Sequence, residues 1–162
     1  MFSPDLMTLA ETVVAHARAR GMTLATAESC TGGLVAGLIT SVAGASAVLE
    51  QGAVTYSNAA KTRMLGVPAA LIERHGAVSR PVAEAMAAGA RAGAGVDLAV
   101  SITGVAGPGG GSDEKPVGLV HFGLATASGV RHLERRFADG ERQAIRLAAT
   151  EQALRMLLDG LA

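Results

Sequence analysis

The chain is poor in the residues that would signal several common functions. Cys30 is its only cysteine in 162 residues, so no disulfide can close within it, which fits a reducing compartment. Tryptophan is absent, and one tyrosine with three phenylalanines is too few for a platform that stacks single-stranded nucleic acid. Neither sign of charge is in excess. Fourteen basic and fourteen acidic residues give a formal net charge of zero, which offers a polyanion no footprint. No stretch approaches the roughly 20 apolar residues of a membrane span. Asp5 and Glu11 interrupt the segment where a secretion signal needs an unbroken apolar run, so a cytoplasmic protein is expected. No His, Cys, Asp or Glu cluster has metal-ligand spacing, and no phosphate-cradling or dinucleotide glycine motif follows a strand. Neither a metal nor a cofactor is expected.

Lysine is scarce too. Only Lys61 and Lys115 are lysine among the 14 basic residues, and the rest are arginine. Arginine cannot lose its proton and lysine can, so a surviving lysine can mark a site that needs a neutral amine.

What is present reads as one globular domain over 1–162, with 49% hydrophobic and 17% charged residues. Ser3-Pro4 caps a helix that Gly21 ends. Strands are expected at 23–27, 50–57 and 97–104, with helices over 31–42, 58–67 and 79–95, the last with Ser79 as its cap. Pro68 begins a further helical turn. Segments 117–127 and 130–138 predict an antiparallel hairpin, and 140–161 a terminal amphipathic helix carrying Ile145, Leu154 and Leu157. The order predicts a three-layer α/β/α sandwich with a mixed, mostly parallel sheet. Ligands in such sheets gather at the carboxyl ends of strands. Here those ends are "AESCTGG", "YSNAAK" and "TGVAGPGGGSDEK".

A serine is a poor nucleophile without a base. Histidine is badly placed for that role: His16 lies mid-helix, His75 precedes a helix-ending glycine, and His121 and His132 lie in the hairpin. Ser-Lys pairs are the alternative, provided that burial keeps the amine neutral. Lys61 lies in the apolar "NAAKTRML", whereas Lys115 follows Asp113 and Glu114 and suits an electrostatic contact better. Ser57 with Lys61 and Ser112 with Lys115 are competing pairs. Ser57 also reads as a cap, and Ser112 lacks the helix start that its motif needs. Cys30 is the rival nucleophile, intrinsically stronger but equally consistent with core packing. Alternation along a strand end predicts that Ser29 and Cys30 face opposite ways. The residues alone favour Ser29 only modestly. The glycines of "TGG" and "GPGGGS" can present backbone N–H groups to an anion, or can simply turn the chain.

Together, "TAESCTGGLVAGLIT", "GAVTYSNAAKTRMLGV", "HGAVSRPVAEAMAAGAR" and "SITGVAGPGGGSDEKPVGLVHFGLA" resemble the CinA C-terminal domain family, which includes bacterial nicotinamide-nucleotide amidases. The likeness runs in order from about Thr23 to Phe137, with the terminal helix beyond. It implies a cytoplasmic amidohydrolase that converts nicotinamide mononucleotide to nicotinate mononucleotide and ammonia. It also implies a homo-oligomer, dimer or larger, with a small-molecule nucleotide as partner rather than nucleic acid or membrane. Carried residue by residue, it makes Ser29 the nucleophile and Lys61 its base, with Tyr56 a third catalytic residue that orients Lys61 or relays a proton. Cys30, Thr31, Gly32, Gly33, Thr103, Gly104, Gly107 and Lys115 become the substrate contacts. Some members carry a larger N-terminal domain, whose activity is not expected of this chain. The alternatives are a non-catalytic nucleotide-binding or regulatory domain using the same pocket, or similar chemistry on another amide.

Overall fold

The computed structural model describes residues 2–137 and 140–162. The expected strand 130–138 therefore ends at Ala138, outside the described residues.

Helix α1 (Pro4–Arg20) begins where Ser3 Oγ accepts from the Leu6 N–H at 3.3 Å, and Gly21 closes it in a left-handed conformation. Strand β1 (Leu24–Glu28) follows, then α2 (Leu34–Thr40), β2 (Leu49–Val54), α3 (Asn58–Leu65), α4 (Ala69–His75), α5 (Arg80–Ala94) and β3 (Leu98–Gly104). The hairpin β4 (Leu119–Thr126) and β5 (Gly129–Arg136) leads to α6 (Arg142–Gly160).

The five strands form one sheet in the order β2-β1-β3-β4-β5. The β2-β1 and β1-β3 pairs are parallel, and the hairpin adds antiparallel pairs at one edge. The sheet is mixed as expected, with its parallel part at the centre. Side-chain alternation along the strands sorts two cores. Leu24, Leu98, Val100, Ile102, Phe122 and Leu124 pack with α1, α2 and α6 on one face. Each large aliphatic side chain buried there contributes about 1.5–3 kcal/mol.

The opposite face of the sheet is lined by Ala25, Ala27, Ala53 and Ala99, and α3, α4 and α5 cover it. These small residues let α5 come close. Ser101 Oγ donates to the Ala83 carbonyl of α5 at 2.6 Å, and a Cβ on Gly123 would strike that same carbonyl oxygen.

Two local expectations change. Helix α2 starts at Leu34 rather than Thr31, because Gly32 and Gly33 take φ of 61° and 96° and turn the chain before it can wind. Ser79 stands at the N-cap position of α5 but makes no capping bond; its hydroxyl donates to the Gly76 carbonyl at 2.8 Å instead.

Candidate active site

Strand β1 ends at Glu28, and the Ser29 N–H donates to the Ile102 carbonyl of β3 at 2.9 Å. That bond holds the serine between the central strands as the chain turns away. The turn is stabilised from below by Glu28, whose side chain is 1% exposed. Its two oxygens accept from the N–H groups of Gly33 (3.0 Å), Val35 (3.1 Å) and Ala36 (2.9 Å), and from Thr26 Oγ1 at 3.3 Å. Glu28 thus takes up donors that a helix start leaves without partners.

On the second element, Ser57 Oγ accepts from the Ala60 N–H at 3.0 Å and starts α3. Ser57 is therefore the cap, and its pairing with Lys61 falls away. One helical turn later Lys61 is buried, 1% exposed. Its Nζ lies 3.0 Å from Ser29 Oγ, 2.8 Å from the Thr55 carbonyl and 3.4 Å from the Tyr56 carbonyl. Desolvation lowers the Lys61 pKa from its ordinary value, against a smaller opposing effect from Cys30. A neutral amine has two N–H donors and one lone pair. Two backbone carbonyls and one hydroxyl suit a neutral amine whose lone pair takes the Ser29 proton, and equally an ammonium that donates to all three.

Both residues line a pocket of about 290 Å³ at the carboxyl ends of β1, β2 and β3. Cys30, Tyr56, Thr103, Gly104 and Gly107 line it too, as does Arg142 from α6. Ser29 turns its hydroxyl to Lys61 of α3, whereas Cys30 packs in the core with residues of α1, α2 and α6. The Cys30 thiol is buried against the core, and burial pushes its pKa up to about 11. It is a thiol rather than a thiolate at neutral pH.

The remaining expected contacts behave differently. Thr31 is fully buried, and neither it nor Gly32 or Gly33 lines the pocket. The Gly33 N–H is taken by Glu28, and that of Gly32 by the Ser29 carbonyl at 3.0 Å. Among the described residues, only the N–H groups of Cys30 and Thr31 in this turn donate to no protein acceptor. Lys115 does not reach the pocket. Its Nζ donates to the His75 carbonyl at 2.6 Å, while Ser112 forms a tight turn with the Lys115 backbone. The Tyr56 phenol accepts from Arg142 Nη2 at 2.8 Å, so this residue meets Lys61 through its carbonyl. Thr103 Oγ1 donates to the Ala77 carbonyl at 2.8 Å and ties β3 to the segment before α5.

Three charged residues were not anticipated at the site: Glu28, Arg142 and Arg146. The two arginines stand one turn apart on α6, so they share a face. Arg142 joins the Tyr56 phenol to the Gly107 carbonyl, which it meets at 2.6 Å. Arg146 reaches the carbonyls of Cys30 and Thr31. Their i,i+4 spacing was visible, but nothing in it told a site face from a solvated one.

A larger cavity of about 540 Å³ lies at the other end of the sheet, beside the β4–β5 turn. Its carboxylates are already engaged: Asp97 accepts from Thr23, and Asp159 pairs with Arg131. Ser29 and Lys61 stand in the smaller pocket. Among the described residues no group of three or more His, Cys, Asp or Glu could hold a metal ion. Nor is any described helix long and apolar enough to cross a membrane.

Comparison with known proteins agrees with this geometry. The family model of the CinA C-terminal domain matches residues 6–161. A CinA-like protein of Anaeromyxobacter dehalogenans (strain 2CP-C) is 56% identical over 149 residues, covering 92% of this chain and 36% of that protein. The chain thus spans about a third of the longer CinA-like relatives. A protein of Escherichia coli (strain K12) named nicotinamide-nucleotide amidohydrolase PncC is 53% identical over 157 residues, with 97% of this chain and 95% of that protein covered. The crystal structure of competence/damage inducible protein CihA from Agrobacterium tumefaciens superposes with a TM-score of 0.96 at 48% identity, covering 99% and 98% of the two chains. The chain belongs to the CinA C-terminal domain family.

Proposed function

We propose that this chain is a nicotinamide-nucleotide amidase, which hydrolyses the carboxamide of nicotinamide mononucleotide to nicotinate mononucleotide and ammonia through a Ser29–Lys61 dyad. The observation that carries the chemistry is the buried Lys61 amine, 3.0 Å from Ser29 Oγ in a pocket wide enough for a small amide. The substrate comes from the Escherichia coli relative, whose length the chain matches almost fully and whose name states it.

Lys61 takes the Ser29 proton as the serine oxygen bonds to the carboxamide carbon. The N–H of Cys30, which lines the pocket and donates to no protein acceptor among the described residues, stabilises the oxyanion that forms. Protonated Lys61 then gives its proton to the departing nitrogen, the C–N bond breaks, and ammonia leaves an ester on Ser29. Water, deprotonated by the same amine, cleaves the ester and returns the serine. Amide and water become carboxylate, ammonia and a proton, with no redox step.

The pocket offers a phosphate the guanidinium of Arg142 at its rim, whereas Lys115 is turned away to His75. Tyr56, through its carbonyl, and Thr103, through the Ala77 bond, hold the walls in place. The whole chain, 1–162, serves as one amidase domain, working in the cytoplasm as a homo-oligomer of two or more copies. Light scattering on the purified chain checks the last point.

Ammonia release from nicotinamide mononucleotide is the deciding measurement. Turnover that disappears in Ser29→Ala supports the reading. Tight binding of the nucleotide without ammonia would identify a non-catalytic nucleotide-binding domain instead. Turnover of other amides in preference would change the substrate and keep the dyad.

A further inference from the structure

Where β1 turns away, β3 runs on and loses its neighbour. As far as Ile102 one edge of β3 faces β1, and the Ile102 carbonyl accepts from the Ser29 N–H at 2.9 Å. Past Ser29 the first chain folds back on itself, and the Ser29 carbonyl takes the Gly32 N–H at 3.0 Å. The pocket opens beside the part of β3 left behind, and the chain from Thr103 to Ala106 lines it.

The other edge of β3 stays paired. The Val105 N–H donates to the Leu119 carbonyl at 2.9 Å, and the Val105 carbonyl accepts from the Gly118 N–H at 2.8 Å, so both point toward β4. The Val105–Ala106 peptide is trans, and in a planar trans unit C=O and N–H point opposite ways. The Ala106 N–H therefore points away from β4, to the side on which the Ile102 carbonyl meets Ser29. Ala106 is 5% exposed, and among the described residues its N–H donates to no protein acceptor. A buried N–H of this kind is rare and costs about 1–3 kcal/mol unless a ligand or water supplies the acceptor. Ala106 borders the pocket from the end of β3, as Cys30 does from the end of β1, and no Asp or Glu lines that pocket to oppose a negative charge.

Resting on the amidase reading, we infer that the Ala106 N–H is the second oxyanion donor, acting with that of Cys30 from the neighbouring strand end. The carboxamide oxygen is held by both as it gains charge, while Ser29 Oγ bonds to the carbon. Acyl transfer on other α/β sheets uses the same division, with one donor on the residue after the nucleophile and one on a loop beside it. The Val105 bridge to β4 fixes the Ala106 donor before substrate arrives, so nothing has to reorganise as the charge develops. Such a bond strengthens in the transition state, and its loss falls on kcat rather than on KM.

The test puts lactic acid in place of Ala106, which turns the amide N–H into an ester oxygen and keeps the methyl side chain. For ammonia release from nicotinamide mononucleotide, kcat falls by about a hundredfold or more, as on loss of one oxyanion donor, with KM within about threefold. The ester also makes the Val105 carbonyl a weaker acceptor. Glycolic acid in place of Gly118 breaks the same bridge from its other end and spares the Ala106 N–H, so it costs less kcat. A fall of less than tenfold at Ala106, or equal falls in the two esters, overturns the inference. If wild type releases no ammonia, the amidase reading fails on its own. The rate at which a fluorophosphonate labels Ser29, its phosphoryl oxygen standing where the oxyanion would, then decides the role of Ala106. Slower labelling in the Ala106 ester than in the Gly118 ester supports it. Equal rates, or no labelling of wild type, overturn it.

Discussion

Lys61 Nζ and Ser29 Oγ are 3.0 Å apart although 32 residues separate them in the chain. Parallel pairing of β1 with β2 produces this contact. The Thr55 N–H donates to the Glu28 carbonyl at 2.8 Å, which brings the start of α3 beside the end of β1. In the proposed dyad, removing either partner removes nucleophile or base. Ser29→Ala and Lys61→Met are each expected to lower kcat by about a thousandfold or more. Methionine matches the length of the lysine stem, so circular dichroism of Lys61→Met should remain that of wild type. A variant of either kind with more than about a tenth of wild-type turnover would reject the dyad.

The pH dependence follows from the same lysine. Burial lowers its pKa in the folded protein below the ordinary value of 10.5, so the active neutral form grows as pH rises through the lowered pKa. The rate should rise with pH and level off below the pH expected for an ordinary lysine. Stability moves in the same direction. Between the lowered pKa and 10.5 the unfolded chain binds the proton that the folded chain has released, so stability from this residue increases with pH. Urea unfolding of wild type and Lys61→Met at several pH values checks it. The wild type should gain on the variant as pH rises, and a gap independent of pH would contradict a lowered pKa.

Cys30 separates exposure to a pocket from reactivity. The residue borders the same pocket as Ser29, yet it is packed in the core and burial pushes its thiol up to about 11. Cys30→Ala is expected to keep kcat within about threefold and to lose about 1 kcal/mol of stability, as a small side chain is removed from a packed site. Iodoacetamide at pH 8 should leave the native thiol unmodified and should react once urea unfolds the chain. A folded Cys30→Ala protein without activity would shift the nucleophile to cysteine.

Glu28 gives a prediction about folding. It is 1% exposed, and its oxygens accept three backbone N–H groups at the start of α2. Glu28→Ala leaves one buried and two half-buried donors unpartnered, for an expected cost of about 1–3 kcal/mol. Chemical denaturation measures it. Glu28→Gln should cost less, because one amide oxygen still accepts while its NH2 faces donors.

How far the sequence could be read depended on whether a signal was local. The Ser3-Pro4 cap, the Gly21 stop and the hydrophobic strand 98–104 are local, and the structure has each of them. Lys61 was legible because lysine is scarce and its neighbours are apolar. Lys115 was equally scarce, but sequence does not tell which way a long side chain swings, and it swung to His75. Arg146 lies more than a hundred residues from the turn whose carbonyls it holds, and Arg142 lies 86 residues from the Tyr56 phenol it meets. On α6 they look like the solvated side of an amphipathic helix, and only the packing of α6 beside β3 and α2 brings them to the pocket. Glu28 looked like one letter of a motif, since its bonds run forward into a helix whose start the glycines had displaced.

Gly89 sits far from the pocket and should still control it. It lies in α5 where that helix crosses α3, and a Cβ there would overlap the Leu65 carbonyl oxygen at the end of α3. Backbone cannot rotate aside as a side chain can, so Gly89→Ala must push the two helices apart. Alanine ordinarily favours a helix interior over glycine by about 1 kcal/mol. Here the overlap outweighs that gain, and overpacking of this kind typically costs about 1–3 kcal/mol. Helix α3 also carries Lys61, and a hydrogen bond of 3.0 Å tolerates only tenths of an ångström of displacement before it weakens. Gly89→Ala is therefore expected to lower both stability and kcat, the latter by about tenfold or more. Gly93, one turn further along α5, has nothing within 4 Å of the corresponding position. Gly93→Ala should keep full activity and gain stability. Equal behaviour of the two alanine variants would show that the closeness of α5 to α3 does not set the position of the lysine.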